Sequence, residues 1–122
     1  MKRIGMVTVL VDDLDAAIGF YVDALGFTLV QDMPLPNGER WVVVRPDPSA
    51  STDVQLARAS AGSPAGTMTV TLFLHTDDFE GDHRRMLDAG VRFLEEPRYE
   101  EYGTVAVFED LSGNKFDLIQ PR

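Results

Sequence analysis

With 122 residues and no cysteine, the chain has the length of one domain and enough of it to bury roughly two thirds of its unfolded surface, while disulfides, thiolate nucleophiles and cysteine metal sites are excluded. A net charge of −9 repels nucleic-acid phosphate and weakly favours a cationic partner, although most of it reads as solubilising surface. No apolar run reaches membrane-spanning length, and the N-terminal run stops at Asp12 without a small-residue cleavage site, so no signal peptide is read and a cytoplasmic location is expected.

Residues 4–11 alternate, with Val7, Val9 and Val11 on one side of a strand and Met6, Thr8 and Leu10 on the other. Asp12 and Asp13 offer caps to a helix whose apolar positions are Leu14, Ala17, Ile18, Tyr21, Val22 and Leu25, and Gly26 ends it. The valine side of the strand packs under this helix. A second strand is predicted over 27–33, a turn-rich loop over 34–38 and a third strand over 39–45. In the third, Val42 and Val44 match the helix side, which sends Trp41, Val43 and Arg45 to the far face. A fourth strand over 53–59 turns Val54 and Leu56 to the helix and Gln55 away. Residues 60–66 form a small-residue linker.

The second half repeats the plan. A strand over 68–76 puts Val70, Leu72 and Leu74 on the helix side and Thr71, Phe73 and His75 on the far face. A helix follows with Phe79, His83, Met86 and Leu87 as its stripe and Gly90 as its stop. Strands are predicted over 91–95, 104–109 and 115–120, with a hairpin turn over 111–114. In the last strand Phe116 and Leu118 face the helix and Asp117 faces away. Shifting the first copy by 65 positions lays Asp12 on Asp77, Asp13 on Asp78, Asp23 on Asp88 and Ala24 on Ala89, and one deletion then brings Gly26 onto Gly90. The expectation is an α+β fold of two tandem βαβββ modules, about 1–59 and 67–122, whose pseudo-symmetric halves meet around a shared cleft.

The run V-x-D-L-D-x-A-x-x-F-Y-x-x-x-L-G-F at 11–27 and the later F-x-D-x-x-G-N-x-x-D-L at 108–118 resemble the vicinal oxygen chelate superfamily, which includes glyoxalase I, extradiol dioxygenases and the fosfomycin and bleomycin resistance proteins. The resemblance covers nearly the whole chain. It implies that each module curls into half of a cup formed by a curved mixed sheet, often completed by a second subunit. It also implies that the positions holding a divalent metal in the enzymes fall here on Met6, Gln55, Thr71 and Asp117. A soft thioether, an amide and a hydroxyl with one carboxylate do not make a first-row metal site, so no metal and no cofactor is expected.

The far-face set Met6, Thr8, Leu10, Trp41, Val43, Arg45, Gln55, Thr71, Phe73, His75, Phe108 and Asp117 mixes aromatic walls with a few polar groups, as small-molecule pockets do. Trp41 serves either as a stacking wall or as packing at an interface. Phe73 and Phe108 fill space as walls. His75 is the one candidate catalytic residue, a general acid or base whose alternative is a hydrogen-bonded structural role, while His83 on the helix stripe reads as structural. Arg45 and Asp117 pair with each other or meet a charged ligand group. Tyr102, with Gly103, is a candidate for the rim. The expected function is a metal-independent binder of an aromatic or cationic compound, similar to the bleomycin resistance proteins and so to antibiotic resistance. The alternative is a glyoxalase-like or dioxygenase-like enzyme using a divalent metal ion or His75. The apolar far face, with Trp41, Met6 and Phe108 on it, leads to the expectation of a homodimer.

Overall fold

The computed structural model describes residues 1–122, which divide into two compact units, Met1–Ala65 and Gly66–Arg122. In the first, the order is β1 (Met6–Val11), α1 (Leu14–Gly19), β2 (Thr28–Pro34), β3 (Arg40–Arg45) and β4 (Asp53–Arg58). The four-stranded sheet runs β1-β4-β3-β2. β1 and β4 are parallel because the helix and an antiparallel hairpin separate them in sequence, and the β2–β3 and β3–β4 pairs are antiparallel.

Asp13 caps α1 by accepting the Ala16 N–H at 2.9 Å. The helix then widens into a π-helical turn, Phe20–Ala24, in which the Leu25 N–H donates to the Phe20 carbonyl five residues back at 3.1 Å. A π turn accommodates one added residue, and the first repeat is one residue longer than the second between its capping aspartate and its terminal glycine. Gly26 closes the helix at φ 78°, and the Phe27 N–H returns to the Tyr21 carbonyl at 2.9 Å. Leu14, Ala17 and Tyr21 bury against the valine side as expected: Val9, Val11, Val42, Val44, Val54 and Leu56 are all buried. Tyr21 and Phe27 meet edge to face, with centroids 5.5 Å apart.

The second unit contains β5 (Leu72–His75), α2 (Phe79–Asp88), β6 (Arg92–Phe93), β7 (Arg98–Glu100), β8 (Gly103–Glu109) and β9 (Lys115–Pro121). Its sheet runs β5-β9-β8-β6, with β7 also paired to β8. Asp78 caps α2 through the Gly81 N–H at 3.1 Å, and Gly90 ends it at φ 88°. The strand expected over 68–76 is confined to Leu72–His75, because its neighbour β9 begins only at Lys115, whose carbonyl takes the Thr71 N–H.

Two departures from the sequence reading matter for the site. The strand expected over 91–95 is confined to β6, an unexpected strand β7 follows at Arg98–Glu100, and the break between them contains Pro97, which has no N–H to donate. The Val107 N–H of β8 is instead taken by the Glu95 carboxylate at 3.0 Å. The second departure is Phe108. It was expected on the far face, yet β8 pairs Phe108 with Phe116 and Val107 with Asp117, so Phe108 lies on the helix side and is fully buried. There it belongs to a run of rings from Phe79 through His83 and Phe93 to Phe116, with the Phe108 and Phe116 centroids 5.2 Å apart. Phe108 is removed from the candidate site. His83, stacked on Phe79 and edge-on to Phe93, is structural.

Candidate functional site

In the first unit, register assigns the far face. Cα partners Thr8 and Gln55, and Val43 and Gln55, put β1, β3 and β4 side chains on one surface with Met6, Leu10, Trp41 and Arg45. Most of its polar groups are already engaged. The Thr8 hydroxyl donates to Gln55 Oε1 at 2.8 Å, and the Trp41 indole N–H to Gln31 Oε1 at 2.8 Å. Arg45 donates through Nε and Nη2 to the two carboxylate oxygens of Asp53, at 2.6 and 3.2 Å. Arg45 therefore finds its partner within its own unit, and its guanidinium holds the Asp53 carboxyl below the usual range. Gln31 and Asp53 escaped the sequence reading. Asp53 was legible, standing two positions before Gln55 and so on the same face.

In the second unit, Phe73 lies opposite Asp117 and His75 opposite Ile119, so Phe73, His75 and Asp117 share the face away from α2, and Thr71, just before β5, donates its N–H to the Lys115 carbonyl at 2.6 Å. Phe73 is 58% exposed. His75 is exposed and has no hydrogen-bonded partner to orient its ring as a general base. Two side-chain atoms of these residues are buried without any partner, Thr71 Oγ1 and Asp117 Oδ1. Burial pushes the Asp117 carboxyl above its ordinary proton affinity, Arg98 opposes that, and Glu95 adds to it. Glu95 is locked between the Arg98 Nε–H at 2.9 Å and the Val107 N–H. Tyr102, largely exposed in the turn before β8, interacts with Arg98. Gly103 beside it is obligatory, because a Cβ would overlap the Gln120 carbonyl. Glu95 and Arg98 were missed because they lie on either side of Pro97, at a break between strands that alternation cannot signal.

The same arrangement recurs in both units: a parallel edge pair, β1 with β4 and β5 with β9, presents a side-chain pair at matching register, Thr8 with Gln55 and Phe73 with Asp117. A family model described as the Glyoxalase/Bleomycin resistance protein/Dioxygenase superfamily matches residues 3–118. The chain belongs to that superfamily.

Among its relatives, an uncharacterized protein of Shewanella frigidimarina is 46% identical, over 93% of this chain and 90% of its own. The structure of TnmS3, an antibiotic binding protein from Streptomyces sp. CB03234, is similar at 34% identity and TM-score 0.89, covering 100% of this chain and 98% of that one. A superfamily member from Sphaerobacter thermophilus is similar at 31% identity and TM-score 0.87, covering 98% of each chain. No helix is long and apolar enough to cross a membrane.

Enzymes of the superfamily hold a divalent metal, and the residues at those positions do not fit one. Met6 offers a thioether, Gln55 Oε1 already accepts from Thr8, Thr71 offers a hydroxyl, and Asp117 is the sole carboxylate. No three His, Asp or Glu side chains gather elsewhere in a way that could hold an ion.

Proposed function

We propose that this superfamily member is a metal-independent binding protein for a small aromatic or cationic compound, held against a sheet face turned away from the helix. The observation that carries the reading is Phe73, a large ring left mostly exposed beside the unpartnered Asp117 on a sheet whose other side buries Phe108, Phe116 and Leu118. The unsuitable metal donors support it, as does the likeness to an antibiotic binding protein. In the first unit Trp41 offers an aromatic wall of its own with its N–H already satisfied, so its ring can stack without an unpaired donor. The reading includes a homodimer, supported by the exposed apolar side chains of Met6, Met33 and Phe73. Sedimentation that finds only a species of 13.5 kDa at micromolar concentration removes that part of it.

The test is a fluorescence titration with natural-product antibiotics and small aromatic metabolites, because Trp41 is the single tryptophan. Saturable quenching is expected, and Trp41→Ala should weaken binding by about five- to tenfold, corresponding to roughly 1 kcal/mol of stacking. Phe73→Ala and Asp117→Ala report on the second sheet in the same way. Tight binding that is indifferent to all three substitutions in folded protein overturns the reading.

A further inference from the structure

We infer that the second unit selects a compound in which a hydrogen-bond donor, a hydroxyl or a protonated amine, stands next to a planar ring, with the Asp117 carboxylate as the acceptor and Phe73 as the wall. The inference rests on the binding reading above and names the chemistry of its ligand. Phe73 and Asp117 are Cα partners in the β5–β9 register, Phe73 is mostly exposed, and the half-buried Asp117 carboxylate receives no hydrogen bond from the protein. Leaving a partly desolvated carboxylate without a donor is costly, so its place beside an exposed ring marks a surface whose donor arrives with a ligand. An ionised carboxylate only accepts. A donor group on the ligand therefore satisfies it, whereas a carboxylate or phosphate would meet like charge at Asp117.

The cations nearby do not turn the face into an anion site. Arg98 is occupied by Glu95 at 2.9 Å and Glu100 at 3.6 Å. Arg92 is paired with Glu109 at 3.3 Å, and Lys115 lies opposite Glu109 in the β8–β9 register. On the far side of Asp117, the neighbours on β5 and β8 are Phe73 and Val107, which carry no charge.

Four naphthalene probes separate the possibilities at pH 7 on the intact chain: 1-naphthol, 1-naphthylmethylamine, 1-methoxynaphthalene and 1-naphthoate. Titration followed by amide chemical shifts gives each affinity and places it on the sheet. The naphthol and the amine should bind about tenfold or more tightly than the ether and the carboxylate, since a hydrogen bond to a charged acceptor is at stake. Asp117→Asn should bring the naphthol and the ether to within about twofold, with the fold unchanged by the same spectra. Equal affinities for naphthol and ether, or a preference that survives Asp117→Asn, overturn the inference and leave the binding reading standing. Absence of binding by all four to millimolar concentration also overturns it, and the antibiotic titration then judges the binding reading separately.

Discussion

Asn114 and Asp110 hold each other across the last hairpin turn, the Asn114 side-chain N–H donating to Asp110 Oδ2 at 2.9 Å while Asp110 Oδ1 accepts the Ser112 and Asn114 backbone N–H groups. Both side chains are buried, and Asn114 Oδ1 also accepts the Gly66 N–H at 3.0 Å. The late motif that carries the family resemblance is thus a structural clasp, tying the start of the second unit to its final hairpin. Asn114→Ala should cost about 2 kcal/mol, because it leaves a buried carboxylate oxygen and a partly buried N–H without these partners. Urea unfolding measures it, and a change below roughly 0.5 kcal/mol contradicts the clasp.

Phe108 and Phe73 occupy opposite faces of one sheet and should respond oppositely to truncation. Phe108→Ala removes a fully buried ring and should destabilise by about 3–5 kcal/mol. Phe73→Ala should change stability by no more than about 0.5 kcal/mol while weakening ligand binding. Equal destabilisation by the two would contradict the register that separates them.

Two carboxylates should give stability opposite slopes in pH. Asp53, paired with Arg45, binds its proton less tightly in the folded chain than in the unfolded one, so its stabilisation is present above the unfolded value of about 3.9 and lost as pH falls through the folded value. Asp117 binds its proton more tightly when folded, so stability falls as pH rises from the unfolded value through the folded one, and the cost is fully present at neutral pH. Asp117→Asn should therefore raise the melting midpoint at pH 7 and leave it less changed near pH 3. Asp53→Asn should lower it at pH 7. A fall in midpoint at pH 7 for Asp117→Asn would mean that the carboxylate stabilises the fold.

Chelation supplies the fourth prediction. A metal held only by the folded state would stabilise it by mass action. The melting midpoint should be the same with and without EDTA, and a drop restored by zinc, nickel, manganese or iron would revive the enzymatic alternative.

The sequence by itself determined the parts of this protein that depend on local rules. Asp13 and Asp78 as helix caps, Gly26 and Gly90 as helix stops, and the valine side of β1 follow from capping chemistry, the freedom of glycine at positive φ and two-residue alternation, all of which act within a few residues. Even the one-residue mismatch of the repeats was visible, although its absorption into a π turn was not. Tertiary structure decided everything that required knowing which strand lies beside which. Phe108 moved to the core because its face is set by pairing with Phe116, and β8 is Gly103–Glu109 with Val105 and Ala106 both buried, so alternation alone could not choose its inward side. Arg45 took Asp53 as its partner because β3 and β4 are neighbours, and Glu95 and Arg98 reached the surroundings of Asp117 through the break at Pro97. Thr71 and Asp117 are orphaned for the same reason: a hydrogen-bond partner is a fact of three-dimensional neighbourhood, and no spacing along the chain encodes its absence.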